Sequence, residues 1–181
     1  MVESSCFRNW MHGDLGLEVA DPVLNVSSID NLRSHRLSLQ FPAFVKEARP
    51  DKVVILADLD PSAVVPCITG RKQLIFADGV DLVLIARTSV ESWFLGDTEA
   101  MRSYMGNNEF FEAMPEVYAN AWERLKSVLV EHTGRGPGAS KPKFAEKFIQ
   151  RHGFDLTRAA AHPACPSAAY AIARLKSLAA T

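Results

Sequence analysis

Two stretches of the chain are apolar at consecutive rather than alternate positions. Lys52-Val-Val-Ile-Leu-Ala-Asp58 is one, and Val80-Asp-Leu-Val-Leu-Ile-Ala86, introduced by an Asp78-Gly79 turn signal, is the other. Runs rich in β-branched residues and lacking polar alternation predict strands covered on both faces, the habit of a parallel sheet. Between them, Pro66 to Phe76 has helix length, with Pro66 tolerable at the first helical position and Gly70 a cost inside it. Strand, helix and strand in that order predict a βαβ unit with a right-handed crossover.

Upstream, Phe7, Trp10 and Met11 suit an amphipathic helix over Ser4 to Met11, and Pro22 to Val26 is a shorter strand candidate. Helical signals follow from Ser28, and a short helix is expected from Pro42 to Arg49, before the Pro50-Asp51 break. After Asp97 the pattern is helical only: Thr98 to Met105, Phe110 to His132 with Pro115 near a boundary, Lys143 to His152, and Ser167 to Ala180. The expected architecture is α/β over residues 1–97, a parallel sheet flanked by helices, with an all-helical extension over residues 98–181 packed on it as one structural unit.

Composition agrees with a packed core. The 181 residues are 48% hydrophobic and 23% charged, with mean hydropathy near zero, which rules out a disordered chain. No apolar run approaches the roughly 18 residues of a membrane span, and no basic-then-apolar leader opens the chain, so a soluble protein is expected. Cys6, Cys67 and Cys165 are an odd number without CxxC spacing, which suggests neither a disulfide framework nor a zinc knuckle and fits a reducing cytoplasm.

The net charge of −1 hides an asymmetry. Residues 1–133 hold 12 Lys and Arg against 19 Asp and Glu, giving −7, whereas residues 134–181 hold 8 against 2, giving +6. An acidic, metal-using half beside an anion-facing half would produce this, and so would charge complementarity within one fold.

Asp58 and Asp60 stand two apart at the carboxyl end of the first long run, where ligands collect in open α/β sheets. If the backbone stays extended, both carboxylates point to one side and offer oxygen donors to a hard cation such as Mg²⁺. Asp60 before Pro61 also fits a simple cap, which leaves Asp58 unexplained. Glu91 comes after the second run and can approach this pair, although Thr88-x-x-Glu91 also reads as a capping box. Trp93, Phe94 and Leu95 read as core, Asp97 as the cap of the next helix, and Arg87 as a partner for carboxylate or phosphate.

An early Val-Glu, a hydrophobic strand ending Asp-x-Asp, and Ser-x-Glu after the following strand resemble the Toprim fold of topoisomerases, primases and overcoming-lysogenization-defect nucleases. The closer resemblance is to a small Toprim-like family marked by Arg-x-x-x-Glu-x-Trp-x-x-x-Asp, matched by Arg87, Glu91, Trp93 and Asp97. That family's Lys-Pro segment and helical tail are matched by Lys141-Pro142-Lys143 and the helical stretches beyond it, so the likeness spans about residues 2–178.

The resemblance implies that Asp58 and Asp60 ligate Mg²⁺ or Mn²⁺, with Ser89 and Glu91 supporting a second ion. Glu3 would act as ligand or general acid/base, and Lys141 or Lys143, with Arg87, would hold the substrate phosphate. The activity implied is a metal-dependent nuclease or phosphodiesterase on DNA or RNA, working with a separate ATPase. Toprim proteins place glycine after the early glutamate, whereas Glu3 precedes Ser4, Ser5 and Cys6. The alternative is therefore a catalytically inactive Toprim-like scaffold or protein-interaction subunit.

Other chemistries lack their signatures. The five histidines show no HxH or HxxxH spacing, and His132 and His152 read as helix-end residues before glycine. Cys6 and Cys67 read as buried hydrophobes. Gly134-Arg-Gly-Pro-Gly138 has no following Lys-Ser/Thr and reads as a linker, not a Walker loop. There is no Gly-x-Ser-x-Gly elbow and no Gly-x-Gly-x-x-Gly after a strand. Lys143, Lys147 and Arg151 lie four apart on one helix face, either a solvated face or a phosphate-tracking stripe.

Overall fold

The computed structural model describes residues 8, 11–13, 15–21, 23–24, 35–60, 67–75 and 78–180. The expected strands form as β1 (Val54–Asp58) and β2 (Leu82–Ala86), paired in parallel with Asp58 opposite Ala86. They are the two strands of the sheet among the described residues. Each face of this sheet is covered, which is why neither run alternates. On one face Leu82, Leu84 and Ala86, with half-buried Val54 and Leu56, meet Trp93, Leu156, Cys165, Ala168 and Ile172. On the other, Ala57 and Ile85 pack with Ile68 and Ile75 from the crossover segment, whose helix α2 spans Ile68–Gln73.

Helix α1 (His35–Ala48) begins earlier than expected and holds Pro42 in its interior instead of at its start. After β2 come α3 (Glu91–Gly96) and α4 (Thr98–Met105), then α5 (Ala121–Thr133), α6 (Lys141–His152), α7 (Leu156–Ala161) and α8 (Pro166–Ala179). Helices α3 to α6 share a core built on Phe94, Leu95, Met101, Leu125, Phe144 and Phe148. Helices α7 and α8 close over the sheet. The molecule is a mixed α/β fold.

The helix expected over Phe110 to His132 is corrected: only Ala121–Thr133 is helical. Pro115 breaks the ladder, and the Glu112 and Glu116 side chains turn inward to serve other elements. Asn120 then starts α5 by accepting the Glu123 N–H, and Gly134 ends it with φ 68°. Helix α7 has no counterpart among the expected elements; Asp155 caps it by accepting the Thr157 N–H at 2.7 Å.

Several expectations fall wholly or partly outside the described residues: Glu3 and most of the Ser4 to Met11 segment, the buried placement of Cys6, the strand candidate at Pro22 to Val26, the helical signals from Ser28, and the Pro66 and Phe76 ends of the crossover helix. Within them, Arg8 and residues 11–13 are helical, and Val23 and Leu24 are irregular. No helix among the described residues is long and apolar enough to cross a membrane.

Candidate functional site

The carboxyl ends of β1 and β2 carry the site residues outward in register. Parallel pairing continues past the strands, with Leu59 N–H donating to the Ala86 carbonyl at 2.8 Å and Asp60 N–H to the Thr88 carbonyl at 3.1 Å. The Asp58 carboxylate reaches across to the second segment, where its Oδ1 accepts the Val90 N–H at 2.9 Å. This supplies the α3 N-terminus with an acceptor that its own N-cap residue, Val90, lacks.

Asp60 departs from the geometry expected of an Asp-x-Asp pair. Its φ is 43°, in the left-handed region, so the period-two alternation that would align it with Asp58 ends there. The buried Arg71 of α2 enforces the bend, donating from Nε to the Leu59 carbonyl at 2.8 Å and from its terminal nitrogen to the Asp60 carbonyl at 3.0 Å. The Asp60 residue itself is exposed.

Glu91 is not the closing half of a capping box. The Thr88 hydroxyl is buried without a hydrogen-bond partner, and Glu91 Oε1 instead lies 2.8 Å from Lys141 Nζ at the start of α6. Lys141 Nζ is also 5.5 Å from the Trp122 ring centroid, so the ammonium sits between a carboxylate and an aromatic face. Ser140, which caps α6, and Pro142 in its first turn hold Lys141 in place.

The structure therefore pairs Glu91 with Lys141 and seats the Asp58 carboxylate on the adjacent Val90 amide, drawing on three separate segments. Lys143 and Arg87 are exposed, and neither side chain has an ion-pair partner among the described residues. Carboxylate oxygens are suitable in kind for Mg²⁺. In position, the described residues contain no group of three His, Cys, Asp or Glu side chains able to hold one ion.

Asp97 and Trp93 of the Arg-x-x-x-Glu-x-Trp-x-x-x-Asp segment face inward. Asp97 is fully buried and, besides capping α4 at the Ala100 N–H, takes both Arg158 Nε at 2.9 Å and a terminal Arg158 nitrogen at 2.8 Å. Those hydrogen bonds, donated by Arg158 to the Asp97 carboxylate, are the first cause holding the Arg158 pKa above its ordinary value. Trp93 Nε1 donates to Ser167 Oγ at 2.8 Å, and Ser167 donates in turn to buried Glu116 at 2.5 Å. The Arg87 backbone N–H joins the same hydroxyl at 3.1 Å, which ties the end of β2 to α8.

Arg71, Glu116 and Arg158 have no local sequence signal for these roles. Cys67, expected to be buried, is exposed; its sulfur accepts the Gly70 N–H at 3.4 Å as the α2 cap. Cys165 is buried as a small hydrophobe, and burial, then Glu116, pushes its thiol pKa up. No family model, curated protein or solved structure matches the chain.

Proposed function

We propose that the chain is a Toprim-like metal-dependent nuclease or phosphodiesterase acting on DNA or RNA, working in the cytoplasm with a separate ATPase. The observation that carries this reading is the 2.8 Å contact of Glu91 with Lys141, one residue along the chain from the Val90 amide that Asp58 accepts, at the strand end where α/β folds gather ligands. A carboxylate and an ammonium from distant segments, set together near the strand ends, are the kinds of group that phosphodiester chemistry uses.

In this reading Lys141 binds a phosphate oxygen and neutralises part of its charge. Glu91 and Trp122 hold its ammonium in place, and Arg87 and Lys143 add cationic reach around it. Asp58, Asp60 and Glu91 are the carboxylates that would hold Mg²⁺ or Mn²⁺, which when bound would supply further stabilisation of charge on the phosphate. The described side chains do not close a three-ligand group.

A second reading, a non-catalytic scaffold subunit, is favoured by one observation: Asp58, the first acid of the pair, already serves the Val90 amide. Incubation with end-labelled single- and double-stranded DNA and RNA in Mn²⁺, beside Mn²⁺ binding by electron paramagnetic resonance, separates the two. The enzyme reading expects bound Mn²⁺ and cleavage that falls by about 100-fold or more in Glu91→Gln and Lys141→Met. Absence of both Mn²⁺ binding and cleavage leaves the scaffold.

A further inference from the structure

Helix α6 does more than present Lys141. Its buried side is Phe144, Ala145 and Phe148, while Lys143, Lys147 and Arg151 recur at four-residue steps on its exposed side. At 1.5 Å rise per residue, successive cations stand about 6 Å apart along one ridge. The carboxyl half of that ridge walls a cleft of about 430 Å³. Lys147, Arg151 and His152 line one side, Tyr104 of α4 lies alongside, and Thr133 and Arg135 close the other side from the end of α5.

No carboxylate among the described residues lines this cationic cluster. Lys126, Arg124, Lys141 and Arg158 each pair with a carboxylate, whereas Arg135, Lys147 and Arg151 have no ion-pair partner among the described residues. The carboxyl ends of α5 and α6 lie at the cleft, and each helix end offers about half a negative charge. That offsets about one of three full positive charges. The excess is felt by His152, whose pKa lies below the usual value, through burial first and the Lys147 charge next.

The cleft is also held in shape. Thr133 Oγ1 donates to the Leu129 carbonyl at 2.7 Å and accepts the Arg135 N–H at 3.2 Å, which fixes the turn that carries Arg135. Lys147 Nζ sits 5.1 Å from the Tyr104 ring centroid, and His152 Nδ1 is 3.1 Å from Ser103 Oγ. A ridge that continues through Lys143 beyond the cleft suits successive phosphates of a strand better than one isolated anion.

We propose that the Arg135–Lys147–Arg151 cleft and the α6 ridge bind the phosphates of a single nucleic-acid strand and lead it toward Lys141, about 15 Å along the helix. The proposal rests on the nucleic-acid reading of the Glu91–Lys141 rim and adds the path by which substrate reaches that site.

Fluorescence anisotropy of a labelled oligothymidylate of about ten nucleotides, in EDTA so that no metal-dependent step intervenes, measures this binding alone. The triple variant Arg135→Ala/Lys147→Ala/Arg151→Ala should weaken affinity by about 30-fold or more. It should also flatten the dependence of log affinity on log salt by about 0.7 for each phosphate that is no longer neutralised. Circular dichroism of the variant confirms that these exposed substitutions leave the fold intact.

Unchanged affinity or salt slope in the folded triple variant overturns the track, as does failure of the parent protein to bind the oligomer. Inorganic phosphate or ATP competing at affinity equal to that of the oligomer, with no effect of Lys143→Ala, also overturns it in favour of a small phosphorylated ligand. Binding that depends on the three cations, without cleavage in Mn²⁺, upholds the track and removes only the nuclease reading. Glu91-dependent cleavage unaffected in KM by the triple variant does the reverse.

Discussion

Lys141 Nζ lies 2.8 Å from Glu91 Oε1, joining the first turn of α6 to the first turn of α3. The partners differ in environment: the Glu91 side chain is 12% exposed and that of Lys141 51%. Removing the lysine leaves a nearly buried carboxylate without its cation, but water reaching Lys141 screens the attraction. Lys141→Met should therefore cost about 1 kcal/mol, and the Glu91→Gln/Lys141→Met cycle should show coupling of about 1 kcal/mol. Urea denaturation of the four proteins measures both. Additive losses would mean that the pair contributes nothing in solution.

Asp97 should be far more sensitive. Its carboxylate is wholly buried and satisfies Arg158, the Ala100 N–H and the Asp155 N–H together. Asp97→Ala removes a charge partner and two helix-end acceptors, for an expected loss of about 3–5 kcal/mol, with Asp97→Asn intermediate. Glu99, 75% exposed and 3.5 Å from the same Arg158, is the control. Glu99→Ala should stay within about 0.5 kcal/mol of the parent by the same urea titration.

Legibility in the chain depends on the range of each interaction. β1, β2 and α4 are legible because uninterrupted apolar runs and an Asp before a helical stretch are local signals. Asp97 reads as a cap for that reason, but its Arg158 partner is a tertiary contact that leaves no spacing to find. Glu112 and Glu116 look like polar positions of a long helix, when each is drawn inward by Arg124 and by Ser167. Likewise Asp60 keeps to the strand period only while the backbone stays extended, and Arg71 bends it by holding the Leu59 and Asp60 carbonyls.

Asp58 offers a way to separate support from chemistry at one atom. The Val90 N–H needs an acceptor, and the carbonyl oxygen of an asparagine can supply one. Asp58→Asn should keep stability within about 0.5 kcal/mol, while Asp58→Ala, which leaves the helix end without its acceptor, should lose about 1 kcal/mol. Mn²⁺ binding followed on the two folded variants should vanish in both if the carboxylate ligates metal. Retention of full Mn²⁺ affinity in Asp58→Asn would remove Asp58 from the ligand set.

His162 makes stability depend on pH. The residue is 7% exposed, its ring stacks on Phe111 with centroids 4.9 Å apart, and burial holds its pKa below the ordinary value. Glu112 and Glu116 pull upward by less. The unfolded chain, with a histidine pKa of about 6.5, then binds more protons than the native one, so stability rises with pH through this window and falls below it. His152 acts in the same direction. The drop in Tm from about pH 7.5 to about pH 5.5 should shrink in His162→Gln. An undiminished drop would assign the whole effect elsewhere.

Gly96 tests how tightly α3 meets the segment before α8. An added Cβ there would fall 2.8 Å from Cys165 Sγ and 3.7 Å from the Ala159 carbonyl oxygen, both in the covered face of the sheet. Two effects compete in Gly96→Ala: alanine favours the helical backbone by about 1 kcal/mol, and overpacking a filled core costs about 1–3 kcal/mol. Since Cys165 is fully buried and cannot swing into solvent, the steric cost should win, for a net loss of about 1 kcal/mol. Cys165→Ala removes the obstructing sulfur, so it should do less harm in the Gly96→Ala background than in the parent, by about 1 kcal/mol in a double-mutant cycle read by urea denaturation. Strict additivity of the two substitutions would show that α3 and the Cys165 turn stand further apart than this packing requires.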